Sequence, residues 1–404
     1  MANFDILAIA NTTNVTAANL LPQVGKGLTA YDRASVPLQT IMMNMKRVSQ
    51  TSNPTYFQYE TQYDDPSATC DGIDAAGAGV SQTIVIDSLN VRAGDRYLEP
   101  TTDQLFLVVS ITSYDTVGIT TTCVIKRVPS TEATLVVAGT PLLIRVDNQM
   151  LEGDYYPEAV TNLPEKFTNG ISVIAGAVSV TNIMNDTPSY YNQGSEFDFQ
   201  RNANIEWFRK QMERTIIWSE FYQQQETHVH NGKTWTGTAY STNGVINSIQ
   251  TNIVPYTGNL TESTMDNFLA NTVWGTRYYG GDYKIGFAGP QVFNNINSFA
   301  KNRMLYPGST NMTYGLNVMT YIGYAGQKLY MILEREFMND NPAYANSLVV
   351  LDPMQVELKY HGPALMMIKN TTPPDQTVTS IGMESRPGFL MSFEKSCAIL
   401  QQGS

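Results

Sequence analysis

Residues 195–226, SEFDFQRNANIEWFRKQMERTIIWSEFYQQQE, decide how the rest of this chain is read. Ser195 and Asp198 form an S-x-x-D capping box just after Gly194, in which the serine oxygen takes up an otherwise orphaned N–H of the first turn. Ile205, Phe208, Met212 and Ile216 then recur at helical spacing, and Glu206 stands one turn before Lys210, positioned to pair with it. Neither Pro nor Gly interrupts the stretch, so the pattern predicts a single helix over 195–226, on the order of 45 Å long. Such a helix is much longer than those of ordinary globular domains.

N-terminal to this helix the period changes. From Asn53 to about Thr181 the residues alternate as strands do, beginning at Tyr56-Phe57-Gln58-Tyr59 and crossing a Gly/Ala/Asp-rich loop from Asp71 to Gly79. Runs follow at Thr83–Ile86, Leu105–Val109, Cys123–Ile125, Leu135–Val137 and Leu142–Ile144, punctuated by Gly, Pro, Asp and Thr. Short strands at that spacing predict a small β-barrel or sandwich, set as an insertion between helical segments. Before it comes a short amphipathic helix with Asp32 or Ser35 as N-cap, Pro37 in its first turn, and an apolar stripe of Leu38, Ile41, Met42 and Met45, ending near Val48. Residues 1–31 carry little periodicity and read as an extended arm.

C-terminal to the long helix, His228 to Trp235 reads as a hairpin around Asn231-Gly232, a dipeptide suited to the positive φ angles of a type I′ turn. One helix is expected from Thr261 or Ser263 with Met265, Phe268, Leu269 and Val273 inward. Another is expected from Gly289-Pro290 with Val292, Phe293, Ile296 and Phe299 inward, proline fitting the first helical position. Strands are expected at Leu329–Leu333, Val349–Leu351, Ala364–Ile368, Phe389–Phe393 and Cys397–Leu400. The fold class is therefore α+β.

Only 15% of the 404 residues are charged, against roughly 25% in an average domain, while tyrosine numbers 23. That balance suits large permanent protein–protein interfaces, because buried charge is costly to desolvate and tyrosine offers rigid area with a polar tip. It suits equally a monomer with a neutral polar surface, such as a lectin-like domain. A net charge of −11 repels phosphate, which argues against nucleic-acid binding as the main role and is compatible with a wall that must not grip enclosed DNA. No run of about twenty apolar residues occurs, and the N-terminal residues Met1 to Asp5 lack the features of a signal peptide. Three widely spaced cysteines, Cys70, Cys123 and Cys397, suggest reduced thiols in a cytoplasm.

A search for chemistry yields weak candidates. His228 and His230 would share a strand face and could begin a metal site, but His361 is distant in sequence and no acidic or cysteine ligand stands at a supporting spacing. Cys397 with His361 could be drawn as nucleophile and base, yet Cys397 sits in an apolar terminal strand. Gly77-Ala78-Gly79 lacks the strand and Gly-Lys-Ser/Thr of a phosphate loop. Asp64, Asp65, Asp71 and Asp74 satisfy no spacing rule for calcium or for a glycosidase pair. The sequons at Asn11 and Asn370 carry meaning only in an exported chain. The expectation is a protein with no catalytic residues, no cofactor and no metal ligands.

Several short stretches, taken in order, carry a resemblance. They are Ser35-Val36-Pro37-Leu38, Asn53-Pro54-Thr55-Tyr56-Phe57, Ala93-Gly94-Asp95 before Leu107-Val108-Val109, and Val124-Ile125-Lys126-Arg127 before Gly139-Thr140-Pro141-Leu142 and Glu152-Gly153. Trp207, Glu213-Arg214, Asn243-Gly244-Val245 and Gly289-Pro290-Gln291 follow. Their order resembles tailed-phage major capsid proteins with the HK97-like coat fold, in the branch whose extended loop carries an inserted β-domain. The Trp235–Tyr240 neighbourhood departs from that branch's pattern.

The resemblance implies an N-terminal arm and short helix over 1–49, and an extended loop with inserted β-domain over 50–180. It further implies a peripheral domain with the spine helix over 181–230, an axial domain over 231–385, and a return to the peripheral domain over 386–404. It implies a coat protein that assembles with itself into pentamers and hexamers of an icosahedral shell around double-stranded DNA, without sequence-specific binding or a membrane. Scaffolding, portal and decoration proteins are its implied partners, the virion capsid its location and the host cytoplasm its place of assembly. Some relatives join subunits by Lys–Asn isopeptide bonds; with only Lys126 and Lys166 in the extended region, that chemistry is not expected here. The competing structural reading is another virion or tail component with receptor-binding β-domains, against which the uninterrupted helix argues.

Overall fold

The computed structural model describes residues 36–61, 67–73, 81–128, 139–153, 155–157, 164–187, 195–230, 232–276, 279–302, 311–313, 316–322, 326–335 and 342–403. The predicted arm at 1–31, the candidate caps Asp32 and Ser35, and the run Leu135–Val137 lie outside them. In chain order the elements are α1 (Pro37–Asn44), β1 (Val48–Thr51) and β2 (Thr55–Glu60), then β3 (Ser67–Thr69), β4 (Ser81–Ile86), β5 (Asp95–Glu99), β6 (Gln104–Asp115), β7 (Thr120–Val128) and β8 (Leu142–Asn148). Next come β9 (Glu165–Gly170), β10 (Ile174–Thr181), α2 (Asn182–Asp186), α3 (Glu196–Trp218), β11 (Tyr222–His230), β12 (Lys233–Ser241), α4 (Val245–Ser248) and β13 (Ile253–Tyr256). The chain continues through α5 (Glu262–Phe268), β14 (Tyr283–Ala288), α6 (Pro290–Asn302), β15 (Asn311–Thr313), β16 (Leu316–Ile322), β17 (Lys328–Leu333) and β18 (Leu348–Leu351). It ends with β19 (Val356–His361), β20 (Met366–Asn370), β21 (Val378–Ser385), β22 (Pro387–Met391) and β23 (Ala398–Gln402).

Two compact units result, one of Tyr59–Phe167 and the other of Met1–Gln58 with Thr168–Ser404. The first is an antiparallel sheet in the order β3-β8-β5-β6-β7-β4. Its outer strands meet, because the Asp71 N–H donates to the Val85 carbonyl at 3.2 Å and the Asp87 N–H to the Thr69 carbonyl at 2.9 Å. The sheet thereby closes into a small barrel with no free edge at that seam. Alternate residues Ile84, Ile86, Phe106, Val108, Cys123 and Ile125 form its core, as their period of two requires. β5 was not foreseen in the sequence, since its charged ends Asp95 and Glu99 break the apolar signal. Both are buried acids held by local donors: Asp95 accepts from the Arg92 N–H at 2.8 Å and from Arg145 at 3.0 Å, and Glu99 from the Thr102 N–H at 2.7 Å.

In the second unit a mixed sheet runs β13-β23-β18-β14-β17-β16-β15. Its alternating residues feed two cores. Leu348, Val350, Ala398 and Leu400 pack with Met265, Phe268, Val292 and Ile296 of α5 and α6. Val349, Leu351 and Ile399 point the other way, toward Leu38, Ile41, Met42, Ile216 and Phe389. A third core joins Phe208 and Met212 of α3 to Val178, Val180 and Met383 of the sheet β10-β21-β20. The two strands expected near the chain's end are both present: β22 pairs with β19, and β23 lies between β13 and β18.

The long helix starts as predicted, with the Ser195 hydroxyl accepting from the Asp198 N–H at 3.3 Å. It ends earlier, at Trp218, so α3 has 23 residues and is about 35 Å long. Ser219 is extended, and the orphaned carbonyls are capped from α4: the Gly244 N–H donates to Ser219 O at 2.7 Å, and Asn247 Nδ2 to Trp218 O and Ser219 O at 3.1 and 3.0 Å. Residues 222–226, expected in the helix, instead extend the hairpin ladder to the pair Tyr222↔Ser241. The first helix likewise stops at Asn44 rather than near Val48, which joins β1 opposite Leu358. Its N-cap is Val36, which offers no side-chain hydrogen bond, with Pro37 at the first position.

Candidate assembly surfaces

The sequence's chemical candidates are dispersed. His228 is exposed opposite Trp235, and His230 pairs with Lys233 beside the turn. His361 ends β19 with Nδ1 3.1 Å from the Thr51 carbonyl oxygen. Among the described residues, no three His, Cys, Asp or Glu side chains gather as metal ligands. Cys397 is fully buried; its Sγ accepts from the Asp352 N–H at 3.5 Å, and burial raises its thiol to about 11. With the thiol engaged by Asp352 and the imidazole by Thr51, the drawn pair Cys397–His361 has no supporting geometry. Burial also raises Cys70 and Cys123, to about 11 and about 12, on the barrel interior. Asp71 is exposed, and Asp64, Asp65, Asp74, Gly77-Ala78-Gly79 and Asn11 lie outside the described residues. Lys126 stands on β7, Lys166 on β9, and Asn370 at the exposed end of β20.

Sequence reasoning missed the buried polar groups. Lys284 of β14 is wholly buried, and its Nζ donates to Val273 O at 3.0 Å and to Ser396 O. Burial lowers its ammonium to about 8, against the opposing pull of Cys397 and Asp352. Asp352 accepts from the Gly281 N–H and the Met354 N–H, each at 2.9 Å. Each of these partners is a backbone group, so the cluster bolts loops to the sheet. The available signal was the run Lys284-Ile285-Gly286-Phe287-Ala288 before Gly289-Pro290, where alternation puts the lysine on a core-facing position.

What the exterior offers is uncovered apolar surface. On the barrel unit a cleft of about 600 Å³ is lined by Leu107, Val109, Ile111, Tyr114, Tyr155 and Tyr156, among others. Tyr155 and Tyr156 are 91% and 89% exposed, and Leu151 and Met150 beside them are also exposed. At the β6–β7 turn Val117 is 93% exposed, and Ile119 is exposed with φ 55°. Aromatic and aliphatic surface of this kind marks interaction sites, since covering it gains about 25 cal/mol per Å².

In the other unit the β11–β12 hairpin rises from a rigid base. Asn169 Oδ1 accepts from the Asn243 N–H at 2.7 Å, and its Nδ2 donates to Phe389 O at 2.6 Å. Buried Thr242 accepts from the Phe389 N–H at 3.0 Å and donates its own N–H to Ser172 Oγ at 2.9 Å. Thr55 Oγ1 donates to Gln223 Oε1 at 2.9 Å. Tyr56 reaches the same region, its hydroxyl donating to Phe389 O at 2.9 Å, and burial holds its ionisation above the usual tyrosine range.

Both surfaces present apolar and aromatic side chains to solvent. Comparison with known proteins gives the family. A family model described as SU10 major capsid protein matches residues 9–382. The capsid of an empty GTA particle is similar at 9% identity over 98% of this chain and 100% of that one, with a TM-score of 0.52. The capsid of a native GTA particle gives 8% identity, 98% and 100% coverage, and a TM-score of 0.51. The capsid of Myoviridae Phage XM1 gives 9%, 96% and 99%, with a TM-score of 0.46. No curated protein matches the chain.

Proposed function

This chain belongs to the SU10 major capsid protein family, has the HK97-like coat fold and is a coat protein of a phage shell, and from that premise we propose how its parts are used. The family is structural rather than enzymatic, its product is the virion capsid, and its members associate with themselves. Copies of this chain close into pentamers and hexamers of an icosahedral shell around double-stranded DNA. A net charge of −11 leaves the wall unattached to phosphate.

The extended loop with its barrel, 59–167, reaches over a neighbouring subunit. The seven-stranded sheet with α5 and α6 is the axial part, around each capsomer's symmetry axis. α3 with β10, β20 and β21 is the peripheral part. Following sheet membership, this division departs from the expected segments 50–180, 181–230, 231–385 and 386–404 by moving β20 and β21 to the peripheral part and β23 to the axial sheet, and it keeps 1–49 as the arm and short helix. Scaffolding, portal and decoration proteins act as accessory partners, and assembly takes place in the host cytoplasm.

The observation that carries this reading is the exposed tyrosine and aliphatic surface of the barrel, which a single copy leaves wet. Burial of such surface between copies makes assembly part of stability. The test is sedimentation velocity with negative-stain microscopy of the purified chain, alone and with scaffold and portal. Capsomers or closed shells are expected; a folded chain that stays monomeric in both mixtures would overturn the reading.

A further inference from the structure

We propose that the cleft between the N-terminal turns of α3 and the edge strand β10 binds a hard divalent cation, Ca²⁺ or Mg²⁺, held together with part of its water. The cleft has a volume of about 410 Å³, with Glu196, Gln200 and Asn204 on one wall and residues 177–181 on the other. Glu196 is 5% exposed; its Oε1 accepts from Gln200 Nε2 at 2.8 Å, while its buried Oε2 has no hydrogen-bond partner among the described residues. A carboxylate withdrawn from water is costly unless donors or a cation face it. Arg201, the first base of the helix, pairs instead with Asp198 at 3.6 Å.

The other polar groups of the cleft offer oxygen. Glu196, Gln200 and Asn204 are four positions apart, so they stand along one face of α3. The Gln200 amide nitrogen is spent on Glu196, and Asn204 Nδ2 donates to Gln200 O at 3.0 Å, which leaves both amide oxygens as the ends still able to accept. β10 lies at the edge of the sheet β10-β21-β20, so the carbonyls of its outer edge have no strand partner among the described residues. Five consecutive residues of one strand line the cleft, as a strand edge allows and a strand face does not. The site is also fixed in place: Asn185 Oδ1 accepts from the Ser195 hydroxyl at 2.9 Å and the Phe197 N–H at 3.2 Å, which ties the start of α3 to α2.

Carboxylate, amide and backbone oxygens, with neither imidazole nor thiolate among them, are the donor set of Ca²⁺ and Mg²⁺ rather than of zinc or copper. A single carboxylate in a cleft this roomy leaves much of the coordination sphere to water, which sets the affinity at the weak end, with Kd on the order of 10⁻³ M. A set with one acid is also consistent with there being no group of three His, Cys, Asp or Glu among the described residues. The expectation of no metal ligands, read from spacings of those residue types, did not weigh amide and carbonyl oxygens. The cleft is complete within one copy of the chain, so the site is independent of assembly.

Amide hydrogen exchange of the purified full chain tests this, in CaCl₂ or MgCl₂ at roughly 10 mM, about ten times the expected Kd, against NaCl of equal ionic strength. Amides of 177–181 and 196–204 whose opening releases the ion are expected to exchange about tenfold more slowly with the divalent salt. A response to either cation supports the site, and the stronger of the two names the ion. Glu196→Gln should abolish the response and Asn204→Ala should weaken it several-fold; if Glu196→Gln fails to fold by circular dichroism, Asn204→Ala carries the comparison. Unchanged exchange with both cations would overturn the proposal, as would equal slowing in NaCl, or slowing that persists in full in a folded Glu196→Gln chain. Slowing that appears in cation-free buffer when copies associate would mean that a basic side chain fills the cleft, and would overturn it too.

Discussion

Glu213 Oε1 accepts a hydrogen bond of 2.7 Å from the Leu38 N–H, and its Oε2 accepts one of 3.1 Å from the Gln39 N–H, across 175 and 174 positions of sequence. A wholly buried carboxylate on α3 thus caps the first turn of α1, whose own N-cap residue, Val36, has no side-chain acceptor. Gln39 Nε2 adds a bond of 3.0 Å to Arg209 O. The junction ties the start of the described chain to its long helix.

Glu213→Ala should therefore release α1. The loss is expected at about 2 kcal/mol, since two backbone donors are left without their charged acceptor. Hydrogen exchange at Leu38 and Gln39 should accelerate, with Glu213→Gln intermediate. Unchanged protection at both amides would show that the carboxylate is incidental.

At the β6–β7 turn Ile119 adopts φ 55°, a left-handed conformation that a β-branched residue resists, while Asp115 closes the turn by accepting from the Val117 N–H at 3.0 Å and the Gly118 N–H at 3.1 Å. Ile119→Gly should raise stability by about 0.5–1 kcal/mol, the remainder after glycine's extra entropy loss is set against about 1–2 kcal/mol of strain. Equilibrium denaturation measures it; a destabilised variant would mean that the isoleucine side chain is packed more usefully than its exposure suggests.

Lys284 gives a pH dependence with a definite sign. Burial lowers its folded ammonium to about 8, from the ordinary lysine value of 10.5. Between those values the unfolded chain holds the proton that the folded chain has lost, so this group makes stability rise with pH from about 8 to 10.5. The buried thiols Cys70 and Cys397, raised to about 11, and Cys123, raised to about 12, act in the opposite direction above 9. Comparison with Lys284→Met isolates the lysine: the difference between the two proteins should shift steadily in favour of wild type across the window. A constant difference would mean that Lys284 keeps its proton when folded.

How much was legible follows from where each signal resides. The cap at Ser195, the stripe Phe208–Met212–Ile216 and the hairpin that pairs His230 with Lys233 are local and appear in the structure where the pattern puts them. So do the inner positions of α5 and α6, and the alternation in β4, β6 and β7 that fills the barrel. Asn243-Gly244-Val245 was visible only as a motif. Its role emerges from packing, because a Cβ at Gly244 would come within 2.8 Å of the Ile216 and Ile217 carbonyl oxygens. β5 and β14 escaped notice because Asp95, Glu99 and Lys284 look solvent-directed until their partners are known.

By itself the sequence determined the α+β class, the start of the long helix and the barrel's inward faces, since those depend on neighbours a few positions apart. Tertiary structure decided where that helix ends, because the groups capping Trp218 and Ser219 come from Gly244 and Asn247. It also decided that β23 inserts between β13 and β18, and that Glu213, Asp352 and Lys284 are buried among backbone partners. Hydrogen-bond satisfaction inside a core is settled by residues far apart in the chain, and no window of sequence contains both halves of such a pair.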